Sequence, residues 1–171
     1  MKLKAEGISF RYEKGGRQIL TDCSIEVNSG ERLGLMARSG FGKTSLCKIL
    51  AGYEKPEKGS VTLDGVPLES FGGMCPVQMI FQHPEQSVNP RWKMREVLRE
   101  GGITPGEMTE RLGIREEWLS RYPVELSGGE LQRFCIARAL GEKTRFLLAD
   151  EITAMLDLAS QKEIWLFLLE E

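Results

Sequence analysis

Cysteine and histidine are scarce, and the cysteines are scattered. Cys23, Cys47, Cys75 and Cys135 include no C-x-x-C pair. That spacing argues against a zinc site and a disulfide framework, and it fits a reducing compartment. The single histidine is His83. No run of ~18 apolar residues occurs, so nothing is built to span a bilayer and any membrane role goes through a partner. The opening stretch, MKLKAEGISFRYEKGG, holds no apolar core of signal-peptide length. Neither charge sign dominates: 23 Lys and Arg against 25 Asp and Glu leave a net charge of −2. No global basic field therefore draws the chain to nucleic acid, and none is expected as a partner. Internal repeats and low-complexity tracts are missing too.

What remains is an ordinary globular composition, 41% hydrophobic and 28% charged over 171 residues, enough for one domain with a real core. Short apolar runs at Leu3–Tyr12, Ile25–Val27 and Arg32–Met36 predict three strands with tight connections. The third feeds a glycine loop, and Leu46, Ile49 and Leu50 then recur at helical spacing from Thr44 to Ala51. Val61 and Leu63 before Asp64-Gly65 predict a strand and hairpin turn, and Val77–Phe81 a short strand ending at Gln82. Between about Pro90 and Tyr122, charge dominates around Trp92, Val97, Leu98, Met108, Leu112, Trp118 and Leu119, which reads as a small helical insertion. Ser127-x-x-Glu130 is a capping box opening a helix to Leu140, stopped by Gly141. Phe146–Ala149 is a fully apolar strand ending in Asp150-Glu151, and Ala159–Glu171 is helical by composition.

The glycine loop, Ala37-Arg-Ser-Gly-Phe-Gly-Lys-Thr-Ser45, departs from G-x-x-x-x-G-K-[ST] only in its first residue. In such a loop, backbone amides and a helix N-terminus converge on phosphate oxygens. Gly40 and Gly42 admit close approach and positive φ. Lys43 would reach the β and γ phosphates, and the Thr44 hydroxyl would ligate Mg²⁺. Arg38, Ser39, Phe41 and Ser45 complete the candidate ATP-binding set, with the Phe41 ring turned away from phosphate. Ala37 sits where the strand leaves the sheet, and a methyl is tolerated there if φ is negative. The bland alternative is a glycine turn before a helix. Phe146-Leu-Leu-Ala-Asp150-Glu151 would deliver Asp150 toward the Mg²⁺ shell on a buried strand and let Glu151 polarise a water for in-line attack. The alternative is a strand followed by two surface acids. Leu126-Ser-Gly-Gly-Glu-Leu-Gln132 places a serine and two glycines at a helix N-terminus, at once a cap and an anion site.

Taken in order, ARSGFGKTS, IFQHPEQSVNP, LSGGELQR, FLLADE and MLD resemble the ATPase subunit of ABC transporters over nearly the whole chain. The resemblance implies an α/β fold. Its core would be a P-loop NTPase of RecA-like type with a mostly parallel sheet, joined to an N-terminal antiparallel β-subdomain and a small helical signature subdomain. The corresponding division is 1–36 and 53–76 for the antiparallel part, 37–52 for the phosphate loop and its helix, about 90–140 for the helical part and 145–171 for the acidic strand, D-loop and last helix. It also implies that Tyr12 stacks on adenine, that Gln82 senses Mg²⁺ and the attacking water, and that Asp157 belongs to the D-loop. Ser127, Gly128, Gly129 and Glu130 would face the γ-phosphate held by a second ATPase subunit, two nucleotides being sandwiched in a homo- or heterodimer. On residues alone, Tyr12 is equally an edge-strand aromatic, Gln82 a polar strand end and Asp157 a helix N-cap.

Within the family, FQHPEQSVNPR and RYPVELSGGELQRFCIARAL resemble the oligopeptide, dipeptide and nickel importer ATPases. These bind ATP and Mg²⁺ and work on the cytoplasmic face of the membrane beside an integral permease. His83 and Val88 stand where that group commonly has aspartate and leucine, and Ile152 and Met155 depart from the common D-E-P-T-S-A-L-D run. The helical insertion is shorter than usual. Family members carry a switch histidine on a strand following the helix that ends here at Glu171, and His83 precedes the signature. Without that strand, a gap is expected in the sheet between the strand at 32–36 and that at 146–149, leaving Ile164–Leu169 poorly covered. The chain is then a piece of a longer protein, a shortened ATPase, or a degenerate copy that binds without much turnover. A soluble ABC protein outside transport is the further alternative, since LSGGELQR occurs there as well.

Overall fold

The structure is a computed structural model, and it describes residues 1–154 and 156–170. Contacts divide the chain into two units, Met1–Met79 with Lys143–Asp150, and Ile80–Glu142 with Glu151–Glu171.

The first unit is organised by β1 (Lys2–Phe10), which pairs antiparallel with β2 (Leu20–Asn28) on one side and β3 (Lys58–Leu63) on the other. Alternation puts Leu3 and Ala5 inside, but the next buried pair is Ile8 and Phe10, so the phase slips by one residue. Gly7 absorbs the slip: its φ is 64°, and both ladders shift register across it. A β-bulge of this kind lets one strand keep a single apolar face over nine residues. Asp64 and Gly65, with φ of 51° and 80°, turn β3 into the two-residue β4 (Val66–Pro67) as the D-G pair predicts. The sheet order is β2-β1-β3-β4.

Helix α1 (Lys43–Leu50) follows the glycine loop and buries Leu46, Cys47, Ile49 and Leu50. The other sheet joins β5 (Val77–Ile80) to β6 (Phe146–Ala149). Amides of Arg145 and Phe146 donate to Pro76 O at 2.7 and 3.2 Å, so the strands start side by side and run parallel.

Two expectations are corrected here. Arg32–Met36 forms no strand: residues 31–41 carry no helix or strand assignment, and all are exposed. Leu33 is 50% and Met36 97% exposed, which the apolar pattern of this run alone would not allow. The strand 146–149 is also less buried than its composition suggests, with only Phe146 inside, Leu147 and Leu148 half-buried and Ala149 exposed. Both departures share one cause. A β-run is stabilised by its neighbours' hydrogen bonds and by cover on its faces, and among the described residues β6 has one partner and 32–36 none.

The second unit is helical. Helices α2 (Met94–Glu100), α3 (Glu107–Arg111), α4 (Gly128–Ala139) and α5 (Leu158–Glu170) occupy it, with short 3₁₀ turns at Glu116–Ser120 and Pro123–Glu125. Met94, Val97, Leu98, Leu112, Trp118, Leu119 and Phe134 are all buried. Gly101 lets α2 approach α4 closely, since a Cβ there would lie 2.4 Å from Arg138 O. Arg138 ties the pair by donating to Ser87 O at 2.6 Å and to Glu100 at 3.1 Å. On α5, Ile164 and Phe167 are buried, whereas Trp165, Leu166 and Leu169 are 42%, 51% and 45% exposed, in line with the thin cover expected for this run.

Candidate functional site

In the first unit the glycine loop ends on Gly42, the residue that caps α1 with φ 87° and no side chain to occupy the helix N-terminus. The first amides of α1 are thus left to an outside acceptor. Gly42 is required twice over. Its φ lies in the left-handed region, and a Cβ would meet Leu20 Cδ2 at 2.9 Å and Ile19 Cγ2 at 3.0 Å. Gly40 also has positive φ, 79°, but faces open space. Arg38, Ser39 and Phe41 are exposed, Phe41 to 63%.

Lys43 Nζ turns back to donate to Ala37 O at 2.9 Å. The residue that breaks the glycine-loop pattern therefore contributes through its carbonyl, which any residue supplies. Thr44 Oγ1 donates to Asp150 Oδ2 at 2.7 Å across 106 positions of sequence. Asp150, only 8% exposed at the end of β6, thus meets the residue after the loop lysine. Beneath them Cys47 is buried, and its thiol is pushed up to about 11, first by burial and then by the charge of Asp150. Tyr12, just past β1, packs its ring edge-on against Phe10 at 4.9 Å between centroids, and its hydroxyl lies 2.9 Å from Ser45 Oγ.

In the second unit Gln82 is half-buried just after β5. Its neighbour Phe81 accepts at its carbonyl from Gln132 Nε2, at 3.3 Å. Motif spacing does not single out Gln132, although it is 3% exposed and its buried Oε1 has no hydrogen-bond partner among the described residues. Helical periodicity is the signal that finds it: Gln132 shares the buried face of α4 with Cys135, Ile136 and Ala139.

Ser127 caps α4. Its Oγ accepts from Glu130 N at 3.3 Å while Glu130 Oε2 accepts from Ser127 N at 2.8 Å, so the predicted capping box forms. Gly128 is exposed, and a Cβ on Gly129 would lie 2.8 Å from Leu156 Cδ2, so the second signature glycine seats the residue before Asp157. Asp157 Oδ1 accepts from the amides of Ala159 and Ser160, both at 3.0 Å, and Oδ2 from Ser160 Oγ at 2.8 Å. These bonds, led by those from Ser160, hold its carboxyl below the usual 3.8. The helix-capping alternative for Asp157 is thus realised in the structure. Glu151 is exposed with φ 50°, a left-handed turn directly after β6. Met155, the first residue of the MLD motif, lies outside the described residues.

Comparison with known proteins places the chain as a whole. The family model described as ABC transporter matches residues 20–154. The nickel import ATP-binding protein NikE of Shigella sonnei strain Ss046 is 34% identical over 184 aligned positions, taking in 93% of this chain and 69% of that protein. NikE of Escherichia coli strain K12 shows the same 34% and the same coverage. Among solved structures, the dimeric structure of MJ0796, a bacterial ABC transporter cassette, superposes with a TM-score of 0.82 at 24% identity, covering 97% of this chain and 81% of that one. A post-hydrolysis state of MJ0796 bound to ADP and Pi superposes with a TM-score of 0.83. At that identity the likeness speaks for the fold, an α/β P-loop NTPase of the ABC ATPase cassette type. The family match and the 34% identity go further: this chain belongs to the ABC transporter family, as an ATP-binding cassette.

Proposed function

We propose that the chain binds and hydrolyses MgATP as the energising subunit of an ABC importer of the nickel or peptide class. The observation that carries this reading is the 2.7 Å bond from Thr44 to Asp150. It joins a hydroxyl at the start of α1 to a buried carboxylate at the end of β6, two hard oxygens of the kind Mg²⁺ selects. When bound there with ATP, Mg²⁺ would neutralise charge on the β and γ phosphates.

The chain's own groups divide the remaining work. Lys43 leaves Ala37 O and turns to the β and γ phosphates, while Arg38, Ser39 and the amides of residues 40–45 cradle the anion. Glu151 serves as general base, polarising the attacking water, and Gln82 orients that water and contacts the metal shell. Tyr12 lies under the adenine. Ser127, Gly128, Gly129 and Glu130 meet the nucleotide of a second ATPase subunit, and Asp157 and Phe41 face the same interface. Dimerisation is supported by the dimeric form of the MJ0796 cassette, and the importer class by the names of the NikE relatives. The division put forward here is an antiparallel part at 1–36 and 53–76, a phosphate-loop part at 37–52, a helical part at about 90–140 and an acidic strand, D-loop and last helix at 145–171. Among the described residues no helix is long and apolar enough to cross a membrane, so attachment to the cytoplasmic face would run through an integral permease.

The test is MgATP binding by calorimetry together with steady-state turnover, in the wild type and in Glu151→Gln. Loss of a general base lowers turnover by ~10²–10⁴-fold while leaving binding in place. Turnover that survives Glu151→Gln unchanged removes Glu151 from the mechanism. Binding without turnover in the wild type selects the alternative of a degenerate copy, a nucleotide-binding subunit that regulates its partner with little turnover of its own.

A further inference from the structure

Tyr12 has two chemically separate parts, and the family resemblance uses only one. Its ring is the part that stacks on a base. Its hydroxyl is engaged elsewhere, 2.9 Å from Ser45 Oγ. The two partners differ sharply in setting: Tyr12 is 56% exposed, whereas Ser45, in the first turn of α1, is only 5% exposed. Phe10 steadies the ring from the side, at 78° between planes. The phenol therefore reaches from the end of β1 to the helix start that Gly42 leaves uncapped.

Two hydroxyls carry two protons, and the contact between them uses one. A phenol is far more acidic than an alcohol and is the better donor of the pair. With Tyr12 donating, Ser45 Oγ acts as acceptor and its own proton is free for a third group. An anion at the uncapped start of α1 selects that orientation, because a chain of donors ending on a negative oxygen is polarised along its length. With Ser45 donating instead, the serine would offer the anion nothing but lone pairs.

We propose that the Tyr12 hydroxyl is a positioning group for the triphosphate: it fixes Ser45 Oγ and donates to it, so that the Ser45 proton is delivered to phosphate. This rests on reading the glycine loop as a nucleotide-phosphate site, and it adds a second role to a residue otherwise assigned to the base. A single tyrosine then couples the two ends of the nucleotide. Its ring senses the base, and its hydroxyl sets the phosphate donor.

Inorganic tripolyphosphate separates the two roles, because it has no base to stack on. Dissociation constants for MgATP and for Mg-tripolyphosphate are measured on the full chain in wild type, Tyr12→Phe, Ser45→Ala and the double variant. Tyr12→Phe keeps the ring and removes only the hydroxyl. It is expected to weaken both ligands by about two- to tenfold, the worth of one hydrogen bond, and to add nothing in the Ser45→Ala background. A tripolyphosphate affinity that Tyr12→Phe leaves unchanged overturns the relay, as does an equal loss with and without Ser45. A wild type that binds neither ligand overturns the phosphate-site reading itself, and the relay falls with it.

Discussion

Gly40 and Gly42 are two residues apart in the same loop, share positive φ, and should respond very differently to alanine. At Gly40, with φ 79° and nothing within 4 Å of where the new methyl would stand, the cost is the left-handed backbone alone, about 1–2 kcal/mol for a non-glycine residue. At Gly42, with φ 87°, the same backbone cost applies and a steric cost adds to it. The new methyl would sit 2.9 Å from Leu20 Cδ2, 3.0 Å from Ile19 Cγ2 and 3.2 Å from Ile19 O. Ile19 is itself tied to the sheet, since its N–H donates to Phe10 O at 2.9 Å, so the neighbours cannot all retreat. Overpacking of this kind costs about 1–3 kcal/mol, which puts Gly42→Ala at about 2–5 kcal/mol in total. Urea unfolding should be followed by far-UV circular dichroism, because Trp92, Trp118 and Trp165 all lie outside the unit that carries the loop. The expected outcome is a clearly lower midpoint for Gly42→Ala than for Gly40→Ala, with unchanged slope. Equal midpoints would refute the steric part of the reasoning, and a Gly42→Ala chain as stable as wild type would refute both parts.

Other consequences are read more directly. Asp157 has a folded value below the usual 3.8, so its contribution to stability is complete above that value and is lost as pH falls through the lower folded one. Asp157→Asn should therefore remove part of the acid limb of the pH–stability curve, and an identical limb in wild type and variant rules the contribution out. Cys47 and Cys135 are buried with raised thiol values, Cys47 at about 11. Both should resist alkylation by iodoacetamide at pH 8 in the native chain and react once urea unfolds it, as read by peptide mass spectrometry. Native Cys47 labelled as quickly as in urea would show that α1 is open to solvent.

Much of the site is legible because its chemistry is local in sequence. A helix start after a glycine loop, an apolar strand ending in acids and a capping box each announce themselves within a short stretch, and Ser127 with Glu130 forms the box the spacing predicts. Thr44 and Asp150 are legible one at a time, each as a candidate Mg²⁺ ligand within its own motif, but their direct bond is not, since 106 positions separate them. Gln132 escapes the motif reading for a different reason: a polar residue within a signature motif reads as surface, and only its place on the buried face of α4 shows otherwise.

The strands show where pattern stops being sufficient. β1 breaks strict alternation and is still a strand, because Gly7 absorbs the phase slip and β2 and β3 bond to both edges. Arg32–Met36 carries a respectable apolar pattern and is not a strand. The difference lies in the neighbours rather than in the residues. Strand propensity spans only ~1 kcal/mol and mostly reports packing against adjacent chains, whereas ordering the backbone of each residue costs ~1–2 kcal/mol. A short run with no ladder on either edge cannot recover that cost from propensity. β6 marks the boundary case: with β5 on one side it keeps a four-residue strand, yet its half-buried Leu147 and Leu148 show a face that one neighbour does not cover. The glycine loop that follows residues 32–36 keeps its form nonetheless, because Gly42 is packed against Ile19 and Leu20 and Lys43 is bonded to Ala37 O. The conformation of the loop is therefore held by the antiparallel sheet and α1 rather than by a strand at 32–36.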